Sequence, residues 1–196
     1  LLLQNNKEIF MREAVIVSAA RTPIGKAYRG AYNNTAAPTL ASYSIKEAVS
    51  RAGIDPEEVD DVVMGCAQQQ GSQALNIGRL GGIAAGLPNT VSGMTIDRQC
   101  SSGMMAIATA SKQIITDNMD TVVAGGVESI SLVQTAEIRL DIDPNVTEHA
   151  QHAYMPMIET ADNVAEKYNV SREDQDEYSL QSQQRTASAQ ESGIYT

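Results

Sequence analysis

Two cysteines and two histidines are the side chains of this sequence whose chemistry could extend beyond packing. Cys100 lies where an apolar run, residues 91–96, gives way to small residues and a helical pattern. A cysteine in the first turn of a helix faces unpaired backbone N–H groups and the positive end of the helix dipole, which favours the nucleophilic thiolate. The position therefore predicts a nucleophile. The alternative is a free cysteine that serves as a small hydrophobic residue of the core.

The other three side chains are weaker candidates for a functional role. Cys66 follows a valine-rich run and is expected to be structural. His149 and His152 lie three residues apart in a polar stretch without a carboxylate or cysteine at metal-ligand spacing, so we expect solvated side chains rather than a base or a metal site. Two cysteines form no disulfide framework and no zinc pattern. The sequence thus predicts no metal and a reducing compartment, the cytoplasm.

The charge of the chain is unevenly distributed. The net charge of its 196 residues is −10. Residues 1–127 carry 10 Lys and Arg against 11 Asp and Glu, whereas residues 128–196 carry 4 against 13. Because nucleic acid and anionic membranes bind to basic surfaces, this acidic C-terminal third argues against both as partners. Residues 1–10 lack the long apolar core of a signal peptide or a spanning helix, and we predict that they are an upstream extension, with Met11 as the natural start.

Strand and helix patterns alternate along the chain. Short apolar runs predict a buried strand at 14–20 and further strands at 62–66, 91–96 and 121–127, and helical patterns occupy about 38–52, 74–85 and 100–116. Such alternation favours a parallel or mixed sheet covered by helices, with sites where strands lead into helices. The helix that starts at Cys100 is apolar nearly all round, so we expect it to be buried.

The C-terminal third has a different character. Gly125-Gly126-Val127-Glu128-Ser129-Ile130-Ser131 follows the last strand, and its glycines suggest a tight turn with positive φ. Residues 132–157 lose periodicity, which predicts a long excursion over the surface. Two helical patterns follow at 155–168 and from Ser171, a natural N-cap, to about 191.

Three segments resemble the thiolases. Cys100-Ser101-Ser102-Gly103, after Asp97-Arg98-Gln99, resembles the acyl-acceptor cysteine motif of that family. Residues 125–131 resemble its Gly-Gly-x-Glu-x-x-Ser turn, and residues 155–176 resemble the part of its loop domain that covers the acyl and pantetheine end of coenzyme A. One departure is Asp97, where the family usually carries an uncharged Asn, Ser or Thr. A carboxylate that points inward there would disfavour the thiolate.

The resemblance implies a layered α/β fold and an acyl transfer. The expected architecture is the first half-repeat of a thiolase, a mixed sheet with covering helices and a buried nucleophile helix, followed by part of the helical loop domain. This divides the chain into an extension (1–10), a core half (11–127) and an incomplete loop domain (128–196). The expected activity transfers an acyl group between coenzyme A thioesters, as in fatty acid metabolism, with no covalently bound cofactor.

The same resemblance assigns site residues and partners. Cys100 would carry the acyl group as a thioester, and its backbone N–H would be one donor of the oxyanion hole. Met157 would line the acyl pocket, beside Ile158 where many members have glycine. Family members form dimers or tetramers, which implies self-association, and the strand before Cys100 belongs to their dimer contact.

The resemblance covers only the first half of the catalytic apparatus. The family's histidine, asparagine-held water and second cysteine come from a later half-repeat whose motifs are absent from these residues, so we expect a half-enzyme that is inactive alone. Two alternatives remain open. One is a ketoacyl-synthase-type condensing enzyme, which shares the fold and a helix-capping cysteine. The other is a non-catalytic fragment or pairing subunit that needs a partner to supply the C-terminal half.

Overall fold

The computed structural model describes residues 12–137 and 141–194. The predicted extension at 1–10 and the predicted start at Met11 therefore lie outside the described residues. The chain divides into two compact units, Leu1–Arg139 and Leu140–Thr196. The first unit contains the sheet, and the second consists of helices.

The sheet of the first unit has three strands: β1 (Asp61–Gly65), β2 (Ser92–Ile96) and β3 (Val122–Gly126). Their order is β2-β1-β3, and both pairings are parallel. The layered α/β fold is confirmed, although the described strands form a parallel rather than a mixed sheet. Each connection between strands contains a helix that returns the chain to the same end, which makes the pairings parallel. All three strands therefore end at one edge of the sheet.

Three α-helices cover this sheet: α1 (Ala37–Ala52), α2 (Ile77–Ala84) and α3 (Ser102–Thr116). A fourth, the short α4 (Ile130–Val133), contacts the turn Gly71–Gln73. Short 3-10 turns, Pro56–Glu58, Gly71–Gln73 and Gln99–Ser101, precede β1, α2 and α3. The crossover from β1 to β2 and the crossover from β2 to β3 run in opposite directions across the sheet. Since such crossovers are right-handed, α2 and α3 cover opposite faces.

Alternate residues of the central strand β1 point to opposite faces of the sheet. Val62 and Met64 belong to the main hydrophobic cluster, together with buried residues of α1 and α2: Ala37, Ala41, Ile45, Val49 and Ile77. On the other face, the Gln113 side-chain amide of α3 donates to Asp61 Oδ2 at 2.7 Å, and both side chains are buried. The period of two is that of an extended strand, so one face of β1 holds an apolar core and the other holds α3.

Helix α3 approaches the sheet closely at Gly65. A Cβ atom on Gly65 would lie 2.2 Å from the Ser102 carbonyl carbon and 2.4 Å from the Gly103 nitrogen. On the neighbouring strand, a Cβ on Gly126 would lie 3.3 Å from the Gly103 Cα. Side chains at these places would push the first turn of α3 away from the sheet, so the glycines allow the contact.

The predicted strand at 14–20 is wrong for the described structure. Residues 12–20 pair with no strand of the described sheet, and Val15, Ile16 and Val17 are 70%, 80% and 73% exposed. The segment lies beside the end of α1, where Ser18 Oγ donates to the Ala48 carbonyl at 2.7 Å. A β-branched run favours an extended backbone, but it becomes a strand only within hydrogen-bonding distance of another strand, and a cleft separates this segment from the sheet.

A cleft of about 1060 Å³ lies between this segment and the sheet. Its walls are residues 14–27, one side of α1, part of α3 and residues 121–131. We call it the apolar cleft, because Val15, Val17, Ile45 and Val123 are among its lining residues. In the described residues β3 has β1 as its neighbour on one side, so its other side is an edge of the sheet.

Helix α3 is not buried all round, contrary to the expectation from its composition. One stripe is buried and consists of Ser102, Ala106, Ala110 and Gln113. The opposite side is open, with Met104 75% and Ile107 44% exposed. The sheet covers one face of the helix, and within the described part of the first unit no second layer covers the other.

The second unit contains α5 (Pro144–His149), α6 (Met157–Tyr168) and α7 (Arg172–Glu191). The predicted helices at 155–168 and 171–191 are thus confirmed. Ser171 caps α7 as expected, and its hydroxyl and the Asp174 carboxylate form a capping box. None of these three helices has a buried residue. None of the helices in the described ranges combines the length and the apolar composition of a membrane-spanning segment.

We expect Gly65→Ala to lower the free energy of unfolding by about 3 kcal/mol, because the added methyl group must displace the backbone at the start of α3. Urea denaturation measures the change. The matched control is Gly125→Ala, whose methyl group would lie 3.5 Å from Met64 Sδ, an ordinary van der Waals contact. Equal stability of the two variants would contradict the close approach of α3.

Candidate active site

The candidate site is the turn between β2 and α3, which carries Cys100. The predicted strand at 91–96 is confirmed as β2, but Cys100 lies in the 3-10 turn Gln99–Ser101 rather than in the α-helix itself. Its thiol is exposed. The first N–H groups of a helical segment have no acceptor within it, so the thiol and the backbone N–H of Cys100 lie at the end where partial positive charge collects.

Asp97 takes part in this turn through its side chain. Its Oδ1 accepts the Gln99 N–H at 2.7 Å. An Asn, Ser or Thr side chain has an oxygen that can accept the same bond. The departure from the family pattern therefore preserves the acceptor that closes the turn, while it places a carboxylate three residues before the cysteine.

Cys66 lies in a different environment, at the end of β1. The side chain is 1% exposed, and its sulfur accepts a hydrogen bond from Gln73 Nε2 at 3.2 Å. Burial, with a smaller contribution from the negative charge of Glu128, raises the pKa of the Cys66 thiol from its ordinary value of 9.0 to about 11. At neutral pH Cys66 is therefore a protonated, buried thiol.

A polar cluster around Glu128 connects the ends of β1 and β3. Glu128 Oε2 accepts the Ala67 N–H at 2.9 Å and Oε1 accepts the Gln68 N–H at 3.3 Å. The Gln73 amide donates to Glu128 as well, and its oxygen accepts the Ser129 N–H. We call these residues the Glu128 cluster. Sequence analysis placed Glu128 in a motif but missed Gln73, which stands in a polar turn and gives no periodic signal.

The glycines before this cluster do not form a positive-φ turn. Gly125 and Gly126 are the last residues of β3, and neither is among the described glycines with positive φ. Their role is the contact with α3 and β1 described above. The turn begins only after them, where the Val127 N–H donates to the Gly65 carbonyl at 3.0 Å.

The remaining predicted residues lie in the second unit. Met157 is the first residue of α6 and is 72% exposed, and Ile158 is 79% exposed. His149 ends α5, and both His149 and His152 are exposed. Within the described residues, no group of three or more His, Cys, Asp or Glu side chains is placed to hold a metal ion.

The first unit therefore holds one accessible sulfur nucleophile at the carboxyl edge of its sheet. Cys66, Cys100 and Glu128 all follow strand ends at this edge, which is where ligands usually bind to open α/β sheets. Of the two thiols, only Cys100 is exposed. The arrangement is suited to attack on a carbonyl carbon, with backbone N–H groups at the start of a helix to stabilise the negative charge.

Comparison with known proteins agrees with this geometry. Residues 14–196 match the family model described as "Thiolase, N-terminal domain". The chain is 43% identical over 185 residues to a 3-ketoacyl-CoA thiolase of Bacillus subtilis (strain 168), which covers 94% of this chain and 47% of that protein. It is 41% identical to the 3-oxoadipyl-CoA/3-oxo-5,6-dehydrosuberyl-CoA thiolase of Escherichia coli (strain K12), covering 94% of this chain and 50% of that one.

A solved structure gives the same result. The crystal structure of the Bacillus anthracis acetyl-CoA acetyltransferase superposes with a TM-score of 0.80 at 40% sequence identity, over 94% of this chain and 49% of that chain. The chain thus spans about half the length of the relatives it matches.

We expect iodoacetamide at pH 7.5 to label Cys100 and to leave Cys66 unmodified, because Cys66 is buried and its thiol stays protonated until about pH 11. Mass mapping of proteolytic peptides identifies the labelled residue. Labelling in urea is the control, since both cysteines should then react. Preferential labelling of Cys66 in the folded protein would disprove the assignment.

In a Cys100→Ala background, Glu128→Gln should lower the pKa of the Cys66 thiol, because it removes a negative charge that disfavours the thiolate. The decrease should be under about 1 pH unit, since burial is the larger cause. Thiolate absorbance recorded against pH measures it. The control is Glu57→Gln, because Glu57 lies on the surface of the 3-10 turn that precedes β1. This variant should leave the titration of the Cys66 thiol unchanged. A shift to higher pH in Glu128→Gln would contradict the described contact.

Proposed function

Because the chain belongs to the thiolase family, we propose that it transfers an acyl group between coenzyme A thioesters through a thioester on Cys100. The exposed position of the Cys100 thiol at the start of α3 is the observation that carries the proposal. The substrates are acyl-CoA and coenzyme A, and no covalently bound cofactor takes part. The names of the relatives support the 3-ketoacyl-CoA class for the acyl donor.

The chemistry proceeds in two transfers. The Cys100 thiolate attacks the acyl carbonyl carbon, the bond from that carbon to its leaving group breaks, and the leaving group takes up one proton. A second coenzyme A species then loses one proton and attacks the Cys100 thioester, whose bond to sulfur breaks. The new acyl product leaves and the cysteine returns as a thiolate, so the proton taken up in the first transfer is matched by the one lost in the second. Backbone N–H groups at the start of α3, that of Cys100 among them, stabilise the oxyanion formed in each transfer.

Proton transfer requires a positioned acid or base, and the first unit contains no histidine that could serve as one. The two histidines of the chain are His149 and His152, in the second unit, and the resemblance gives neither of them this task. A positioned acid or base contributes about two to four orders of magnitude to such a reaction. The proposed enzyme therefore needs the acid–base residues that the family carries in its later half-repeat.

A pairing role is a second proposal, and the apolar cleft supports it. Val15, Ile16 and Val17 form an exposed β-branched run on one side of the cleft, and β3 presents a strand edge on the other. Exposed apolar surface of this kind favours association, and an unpaired strand edge accepts a further strand. We infer that a C-terminal thiolase half, in the same or another polypeptide, covers the cleft and the open side of α3.

We expect the 196-residue chain alone to show little thiolysis of a 3-ketoacyl-CoA, because the acid–base residues are lacking. Mixed with the part of the Bacillus subtilis thiolase that lies beyond the matched region, it should gain activity. Release of acetyl-CoA measures turnover. Cys100→Ala should abolish the activity of the mixture, and Cys66→Ala, which changes a buried thiol outside the proposed mechanism, should retain it.

Two results would count against these proposals. Robust turnover by the chain alone, lost in Cys100→Ala, would contradict the need for a second half. Turnover that survives Cys100→Ala in the mixture would exclude Cys100 as the nucleophile. A mixture that forms a complex on size-exclusion chromatography and yet stays inactive would favour the pairing role without acyl transfer.

A further inference from the structure

Ser102 is the buried polar residue beside the nucleophile turn. Ser102 is the first residue of α3 and is only 4% exposed. The hydroxyl makes two hydrogen bonds to the backbone of the turn: Oγ accepts the Arg98 N–H at 2.9 Å and donates to the Gln99 carbonyl at 2.6 Å. One hydroxyl has one proton to donate and can accept as well, so both bonds form at the same time.

These bonds hold a backbone conformation that most residues avoid. Gln99 has φ of +48°, in the left-handed region, where a side chain crowds the backbone. Its N–H is held by Asp97, and its carbonyl is held by Ser102. Such conformations persist only where the surroundings impose them, and they are concentrated at functional sites. The next residue in the chain is Cys100.

The position of Ser102 is itself fixed by the sheet. Gly65 of β1 lies so close to the Ser102 backbone that a Cβ atom there would meet the Ser102 carbonyl oxygen at 2.4 Å. Packing against β1 therefore fixes the Ser102 backbone, from which the hydroxyl extends. Cys100, by contrast, lies on the exposed side of the turn and is held in place by its neighbours in the chain.

We propose that Ser102 is a positioning residue for Cys100: its hydroxyl closes the turn from Arg98 to Ser102 and so keeps the thiol and N–H of Cys100 at the start of α3. The inference rests on the proposed function of Cys100 as the acyl acceptor. Without the hydroxyl, Gln99 relaxes toward an ordinary backbone conformation, and Cys100 moves away from the unpaired N–H groups at the start of α3. Ser102 acts only through the backbone and does not touch the substrate.

The test is the pH–rate profile of iodoacetamide labelling at Cys100, followed by peptide mass mapping, in the full chain and in Ser102→Ala. We expect the labelling rate to fall roughly three- to tenfold across the profile, the effect of losing one or two ordinary hydrogen bonds. The matched control is Ser111→Ala, which removes a hydroxyl bonded to the Ile107 carbonyl within the same helix and away from the turn. Its profile should match that of the unmodified chain.

Cys66 supplies a folding control in the same sample, because its buried thiol reacts only when the protein unfolds. A Ser102→Ala profile that superposes on the parent profile, with Cys66 protected, would overturn the proposal. If Cys66 becomes reactive, the variant has unfolded, and hydrogen exchange in the unmodified chain decides instead. A slowly exchanging Arg98 amide then supports the bond to Ser102, and rapid exchange overturns it.

None of these readouts requires acyl transfer. A failure of thiolysis in the reconstituted mixture would therefore count against the proposed function, while the labelling profiles would still report on the position of Cys100. Conversely, an unchanged labelling profile in Ser102→Ala would remove the positioning role and leave the acyl-acceptor proposal in place.

Discussion

The close contact between the start of α3 and the central strand is the constraint on which the site depends. At Gly65 the backbone of β1 touches the backbone of Ser102, and a single methyl group would not fit between them. The helix can begin this close to the sheet because Gly65 and Gly126 carry no side chains. This contact sets the height of α3 above the carboxyl edge of the sheet, and the turn that carries Cys100 takes its position from it.

The two cysteines show how strongly local surroundings decide chemistry. Both follow strands that end at the same edge, yet Cys66 is enclosed by the Glu128 cluster and the core, and its pKa is raised to about 11 by burial and by the Glu128 charge. Cys100 lies on the outside of its turn. The exposed carboxylate of Glu128 is held in place because it accepts the backbone N–H groups of Ala67 and Gln68.

The two faces of the sheet in the first unit are buried to different extents. The α1 and α2 face holds a continuous apolar core, whereas the outer side of α3 and the extended run around Ile16 remain exposed. Apolar groups on a helix face and on a β-branched segment are stabilised when another layer removes them from water. This imbalance, together with a family match that spans about half of the relatives, is the physical basis for proposing a second half as the partner.

Local patterns in the sequence determined the elements and the family. Apolar runs and caps predicted β1, β2, β3 and the helices α1, α2, α3, α6 and α7, since periodicity and capping depend on neighbours in the chain. They did not predict α4 or α5, which fall in stretches without a helical period. The cysteine motif was equally local, and it indicated Cys100 as the nucleophile.

Only the tertiary structure decided how these elements meet. The run at 14–20 has strand composition, but a strand also needs another strand within hydrogen-bonding distance, and no periodic pattern records that distance. Nor does any pattern show that Glu128 pairs with the side chain of Gln73, 55 residues away in the chain, or which side of α3 stays open. Sequence patterns report what each segment favours, whereas burial and long-range hydrogen bonds depend on which other segments are within reach.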